Sequence, residues 1–401
     1  MDEYEIRTLT AEDANAHRNL MAHAFSQGRV VARSEANAEE DAQYGVNTRG
    51  LFVGGRLQAS LTALPFAVHW GGESTLKMGG VAGVATFADA RGRGYVDALL
   101  RDSLRTMRER GEYISSLYPF AWAFYQRFGW DWVGEKRSVT LPLRELKSAP
   151  EGRKVQVVEG DAVQAALESA YTAFAKRYRG MFTAETHQWK QALAHSDNRT
   201  TYPYGFSPVD GAPPESYLLW RYDGTGGGGQ VREFVTNSVE GFRALLSLLH
   251  YFGTQAQKAR ITVPADAPVW SYLVHWDLET RVSPVFMGRV VDVAQAFAQL
   301  SAVGGEEGTC TLALRDEHAP WNDGLFRLTR EGGKTECTPL VGGAAEPDVT
   351  LDIRALSQAF WGHPSLDRLR MAGRVAVHNE AGYQVLAAAL PPAGVFTMDD
   401  F

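Results

Sequence analysis

From Val81 to Leu117 the chain reads as strand, loop, amphipathic helix and strand, and the same order returns from Val231 to Val263. In the first copy apolar residues fall at 96, 99, 100, 104 and 107, a spacing that gathers them on one helical face. Strands and helices that alternate in this way make an α/β chain. The first copy sits inside a longer series. Strands are expected at 4–9, 51–54, 57–69 and 75–87, with a helix from Ala11 to Phe25 and a Gly71-Gly72 turn that folds the last two strands into an antiparallel meander. A strand at 113–118, a short helix near 121–128 and a strand at 130–142 complete the unit.

The composition turns to Arg, Lys, Pro and Gly near 143–155, which places a boundary there. A second α/β series follows, with a strand near 154–158, a helix near 161–178 and strands near 215–222 and 230–236. Gly224 to Gly229 joins the last two as a flexible hairpin connection, because a phosphate loop would need a helix after it. The loop of the second copy, Thr236-Asn237-Ser238-Val239-Glu240-Gly241, has no arginine and a single glycine, so this unit reads as a copy that lost its ligand loop. Beyond Val291 a third, α+β pattern begins: helix 292–300, strands near 309–316, 324–330 and 348–353, and helices near 354–361 and 381–389. The expected domains are 1–145, 146–290 and 291–401, in keeping with a length of 401 residues.

Lys and Arg number 40 against 47 Asp and Glu, a net charge of −7 that supplies no footprint for phosphate backbones and suits cationic ligands better. Cys310 and Cys337 lack the spacing of a zinc site and read as buried reduced thiols. The acidic start, Met1-Asp2-Glu3-Tyr4-Glu5, and the lack of a long apolar run lead to the expectation of a soluble, cytoplasmic protein with no membrane partner. No GxSxG or HExxH occurs, and Gly333-Lys334-Thr335 fails as a phosphate loop because Leu328 stands where the first glycine is required. Lone histidines such as His69, His250 and His363 read as surface or satisfied core groups.

The segment Val81 to Val96 carries Arg91-Gly92-Arg93-Gly94 between a strand and the start of a helix. Backbone N–H groups of such a turn converge on one spot and the helix start adds roughly half a positive charge, so a pyrophosphate fits there; a plain connection is the other reading. Downstream, Leu117-Tyr118-Pro119-Phe120-Ala121-Trp122 leads into Tyr125-Gln126-Arg127-Phe128-Gly129-Trp130. The loop, its distance from this aromatic segment and the Tyr-x-x-Phe-Gly-Trp pattern resemble the GCN5-related N-acetyltransferase (GNAT) superfamily, with a departure at Val96, where Gly or Ala is usual. A degenerate second unit, a third domain similar to sterol carrier proteins, the junction Gly288-Arg289-Val290-Val291-Asp292-Val293 and the terminal Phe401 together resemble the Eis (enhanced intracellular survival) branch.

This resemblance implies two GNAT-like domains followed by a sterol-carrier-like domain, acetyl-CoA as co-substrate with no metal, acetylation of amines of aminoglycosides and of lysine-containing substrates at several sites, and a homohexamer. It also implies residue roles. Val84, Ala85 and Thr86 would pair with the pantetheine arm; Arg91, Gly92, Arg93, Gly94, Tyr95, Val96 and Asp97 would hold the pyrophosphate; Phe120 and Ala121 would line the cofactor. Tyr125 would be the general acid and the α-carboxylate of Phe401 the general base.

Reference acidities frame that chemistry. A lysine-like ammonium near pKa 10.4 is about seven units above a solvated α-carboxyl, so the carboxylate must be buried or must position the ammonium and relay its proton to water. A phenol at about 10 hands a proton to a thiolate of about 8.5 at a cost of about 2 kcal/mol. Other readings stand beside these. Tyr125 lies among Trp122, Phe124, Phe128 and Trp130 and is also readable as a core tyrosine, and Phe401 as an ordered plug. Asp399 and Asp400 read equally as a lure for polycations or as a solvated tail, and Ser34 to Asp41 as a solvated loop or a substrate mouth. The alternative function is a non-catalytic protein that binds a lipid or sterol-like ligand in the third domain.

Overall fold

The structure is a computed structural model and describes residues 3–25, 47–160, 162–194, 200–223, 227–273, 278–300, 304–342 and 345–401. The acidic stretch Ser34 to Asp41 and part of the glycine run, 224–226, lie outside the described residues. The first unit comprises β1 (Glu5–Thr8), α1 (Ala14–Phe25), β2 (Thr48–Val53), β3 (Arg56–His69), β4 (Thr75–Thr86), α2 (Tyr95–Glu109), β5 (Ile114–Leu117), α3 (Trp122–Gln126) and β6 (Asp131–Pro142). Gly71 and Gly72 close the β3–β4 hairpin at φ of 98° and 57°, a backbone region that a side chain makes costly. Leu99, Leu100, Leu104 and Met107 of α2 are sealed from solvent against Leu61, Ala63, Val81 and Leu117. Each such side chain contributes about 2 kcal/mol of apolar burial, which holds α2 to the sheet.

The second unit comprises β7 (Val155–Val157), α4 (Val163–Ala175), α5 (Trp189–Leu193), β8 (Tyr202–Phe206), β9 (Ser216–Tyr222), β10 (Gly228–Val235), α6 (Val239–Phe252), β11 (Lys258–Pro264) and β12 (Thr280–Val290). Sequence patterning placed nothing at α5 or β8. The repeat is real in three dimensions: β4 and β5 pair in parallel up to Val81 and Leu117, and β10 and β11 pair in parallel up to Val231 and Ile261. All of these strands form one sheet in the order β1-β2-β3-β4-β5-β12-β6-β11-β10-β9-β8-β7. β12 enters between β5 and β6, antiparallel to both, and β6 pairs on its other side with β11. The two units therefore share a continuous hydrogen-bonded sheet.

The third domain comprises α7 (Val293–Ala298), β13 (Gly308–Arg315), β14 (Gly324–Glu331), β15 (Lys334–Pro339), β16 (Val349–Asp352), α8 (Ile353–Trp361), α9 (Leu366–Met371), β17 (Val375–Val377) and α10 (Glu380–Ala389). Its strands form a second sheet in the order β15-β14-β13-β16-β17. Gly332 and Gly333, at φ of 56° and 78°, turn β14 into β15, so Gly333-Lys334-Thr335 is a hairpin. Phe360 and Trp361 of α8 share a core with Trp70, Val133 and Phe286 of the first sheet. At the junction, fully buried Arg289 pairs with Asp316 at 2.7 Å and donates to the carbonyl oxygen of Phe128, so its buried charge has an opposite charge beside it. Cys310 and Cys337 are buried and unbridged, and burial pushes both thiols up to about 12. His69 departs from expectation: it is buried, neither ring nitrogen has a hydrogen-bond partner among the described residues, and burial lowers its pKa so that it stays neutral.

Candidate active site

Gly83 sits at φ 56°, and the pairing of β4 with β3 changes register between Ser60 and Thr62, a bulge that bends β4. The parallel partner β5 stops at Leu117, just before Tyr118-Pro119, where proline has no N–H to continue the ladder. Beyond Val81 the two strands part, and residues 82–86 run along an open cleft. The chain then passes through a single 3₁₀ turn, Ala88–Ala90, into α2. Gly92 and Gly94 adopt φ of 76° and 81°, and Gly94 is the N-cap. Gly94 makes no side-chain cap to this 15-residue helix, a helix start of the kind that receives an anion.

A cavity of about 800 Å³ opens at this point. Val84, Ala85, Thr86, Arg91, Gly92, Gly94, Tyr95, Val96, Asp97 and Phe120, all candidates for cofactor binding in the sequence, line it. Two expected residues do not. Arg93 is exposed in the turn, and Ala121 is the extended N-cap of α3. The lining adds Ala24 and Phe25 from the end of α1, and Phe124, Arg127 and Phe128. The aromatic pair had a signal, since Phe120, Phe124 and Phe128 recur at helical spacing, and their rings meet in sequence in tilted contacts at 5.2 and 5.3 Å. Asp97 would repel an anion from the first turn of α2, but Arg101 holds its carboxylate at 2.6 Å.

The equivalent place in the second unit is closed. Ser238 caps α6 by accepting from the Gly241 N–H, and its hydroxyl donates to the Glu215 carboxylate, so side chains of the protein already occupy that helix start. The remaining space is about 190 Å³, with Tyr178 and Phe242 in its wall and the Tyr178 hydroxyl bonded to Asp266 at 3.0 Å.

Tyr125 is buried in the aromatic group, 5.5 Å from Phe120 and 5.1 Å from Phe124 between ring centroids. Burial pushes its phenol up to about 12. Against a thiol near 8.5, proton handover is then uphill by about 3.5 units, about 5 kcal/mol, instead of the smaller gap expected for an ordinary phenol. The C-terminus is docked. Its ring lies 4.9 Å from Phe66, 5.5 Å from Tyr118 and 6.1 Å from Phe182, and a Cβ on Gly80 would come within 2.7 Å of it. Gly80 and Val81 are consecutive on β4 and face opposite sides of the sheet. Phe401 thus packs on the Gly80 side and Tyr125 clusters with Val81 on the other, at the level where β4 and β5 part.

The tail reaches that position along the second unit. Arg179 N–H donates to Gly394 O at 2.9 Å and Phe396 N–H to Arg179 O at 3.1 Å. Asp399 is buried, which removes both sequence readings of it: its Oδ1 accepts from Gln188 N–H at 2.9 Å and bonds His187 Nδ1 at 2.7 Å. Asp400 is exposed. On the other side of the imidazole, Nε2 lies 3.1 Å from Glu233. His187 was not singled out in the sequence, because nothing local marks it.

Residues 5–133 and 180–290 each match a family described as an acetyltransferase (GNAT) domain. The chain is a GNAT-type N-acetyltransferase. Residues 293–397 of this N-acetyltransferase match the sterol carrier protein domain family. An N-acetyltransferase of Streptomyces griseus, itself described as uncharacterized, is 23% identical over 436 aligned positions that cover 96% of each chain. Among solved structures, a GCN5-related N-acetyltransferase from Anabaena variabilis superposes with a TM-score of 0.84 at 20% identity, covering 100% of both chains. Eis1 from Mycobacterium abscessus superposes with a TM-score of 0.79 at 19% identity, over 99% of this chain and 100% of that one. The acetyltransferase assignment displaces the non-catalytic alternative. The GNAT fold implies acetyl-CoA as co-substrate, and the bare start of α2, Gly92, Gly94 and the open edge of β4 fit a diphosphate followed by an amide-bearing arm.

Proposed function

We propose that the N-acetyltransferase acetylates primary amines of small polycationic molecules, at several positions of aminoglycosides or other polyamine-like compounds, and of protein lysines. The observation that carries this reading is the cavity at the uncapped start of α2, continuous with the parted strands β4 and β5. Bound there, acetyl-CoA supplies an activated acyl group. Val84, Ala85 and Thr86 hold its arm by added-strand hydrogen bonds; the turn from Arg91 to Asp97 holds the pyrophosphate, with Arg93 at its exposed edge; Phe120 covers it, with Ala121 beside it. The incoming amine meets the α-carboxylate of Phe401, which orients the ammonium and passes its proton on, and the Tyr125 phenol protonates the departing thiolate. Both charges form in a dry, aromatic site, which raises the proton affinity of the thiolate and narrows the gap to Tyr125. We further propose the division 1–145, 146–290 and 291–401, a homohexameric assembly and a cytoplasmic location. Among the described residues no helix is long and apolar enough to cross a membrane.

The test is release of free thiol from acetyl-CoA with a panel of aminoglycosides, polyamines and lysine peptides, followed by mass spectrometry of the products. Multiple acetyl groups on one acceptor are expected; no thiol release with any amine sinks the substrate reading. Light scattering tests the hexamer.

A further inference from the structure

The last parallel pair is Val81 with Leu117 in the first unit and Val231 with Ile261 in the second. Two residues past these pairs, at a register shift in each strand, the first unit has Gly83 and the second has Glu233. The degenerate unit thus carries a buried carboxylate at the place where its counterpart opens for the acyl carrier. Glu233 accepts from the Tyr217 hydroxyl at 2.6 Å and faces His187 Nε2 at 3.1 Å. His187 stacks on Tyr171 at 4.2 Å, meets the edge of Trp189 at 4.4 Å, and reaches Asp399 from its other nitrogen.

We propose that His187, backed by Glu233, is a positioning residue that clamps Asp399 and so fixes where the C-terminal carboxylate of Phe401 lies. The reach of the chain makes this effective. Phe401 is two residues further along than Asp399, and two residues span at most about 7 Å. Holding the Asp399 side chain therefore confines the terminal oxygens to a small volume over β4. The imidazole and both carboxylates are almost wholly buried, so the contact is shielded from competing water and salt. The charges also complement one another: a protonated ring donates from Nδ1 to Asp399 and carries its positive charge toward Glu233, and burial, which lowers the pKa of the ring, is outweighed by these two partners, which raise it to about 9. In this arrangement the second unit has exchanged its ligand for the tail of the chain. The proposal rests on the reading of the Phe401 carboxylate as the base.

The experiment uses the full-length protein and the best amine of the panel. His187→Gln loses the Nδ1 contact with Asp399, whereas His187→Asn places an amide N–H where Nδ1 stood. For His187→Gln, kcat is expected to fall at least tenfold with KM for acetyl-CoA within twofold, and carboxypeptidase is expected to release Phe401 at least tenfold faster. His187→Asn restores kcat to within threefold. Calorimetry with coenzyme A verifies that each variant keeps its first unit folded; if His187→Gln does not, Asp399→Asn is measured in its place. Variants that bind coenzyme A with kcat and Phe401 release both within twofold of wild type overturn the clamp, as does a loss of kcat without faster release. A chain extended by one glycine after Phe401 separates the two ideas. Unchanged kcat in that chain sinks the carboxylate base, while faster Phe401 release from His187→Gln still establishes the clamp.

Discussion

Tyr118 Oη donates a 2.6 Å hydrogen bond to the carbonyl oxygen of Asp399, 281 residues further along the chain. Tyr118 follows β5 at the point where the cleft opens, so this bond ties the tail to the first unit as His187 ties it to the second. Burial, then the charges of Asp400 and Asp399, push the phenol well above its usual pKa, so it remains a donor throughout the working range. The C-terminal segment of this N-acetyltransferase is thereby held by both of its first two units.

Tyr118→Phe removes one tie and leaves the ring contact with Phe401. A loss of about 1 kcal/mol in unfolding free energy is expected. Steady-state kinetics should show kcat reduced about threefold to tenfold with KM for acetyl-CoA unchanged, because the cofactor wall does not include Tyr118. A rise in that KM with constant kcat would place Tyr118 in cofactor binding instead.

Gly94→Ala adds a methyl group into open space at φ 81°. Strain of about 1 kcal/mol is expected in the free protein, from the backbone alone. Coenzyme A affinity should drop about tenfold by calorimetry, since the new Cβ stands where the diphosphate approaches the helix start. Unaltered affinity would remove the anion site from the start of α2.

Tyr125→Phe keeps the buried ring and deletes the hydroxyl. Turnover should fall at least tenfold while the melting temperature shifts by no more than about 2 °C, since among the described residues no hydrogen bond anchors that ring in the aromatic group. Equal turnover in both proteins would return Tyr125 to the core.

His187 makes stability depend on pH. Its folded pKa, about 9, exceeds the unfolded value of 6.5, so its contribution is complete below about 6.5 and disappears as pH rises through about 9. The groups around it are Asp399, Glu233 and the phenols of Tyr171 and Tyr217, and both phenols are held protonated by burial across this window. Urea titrations from pH 6 to 10 should show wild type losing on the order of 3 kcal/mol that His187→Asn does not lose. Parallel profiles for the two proteins would exclude a charged imidazole in the clamp.

Much of the site was legible because it is written in local chemistry. The apolar face of α2 needs only its own spacing, and Gly92 and Gly94 announce a left-handed turn wherever they stand before a helix. The degenerate character of the second copy was also readable, since its loop has no arginine and a single glycine. Which residues face the cleft was less secure. Arg93 and Ala121 sit within the right segments yet outside the cavity, because a one-residue step in a turn or at a cap redirects the side chain.

The amino-acid sequence by itself determined the α/β repeat, the basic glycine turn that opens a helix in the first copy, its absence from the second and the α+β character of the third domain. Only the tertiary structure decided that β12 enters the first unit between β5 and β6, that burial raises the Tyr125 phenol, and that Asp399 is a buried anchor. These depend on groups far apart in the chain meeting in a dry interior. Periodicity and glycine placement act over a few residues, whereas dielectric, desolvation and the partner of a charge are properties of the packed whole.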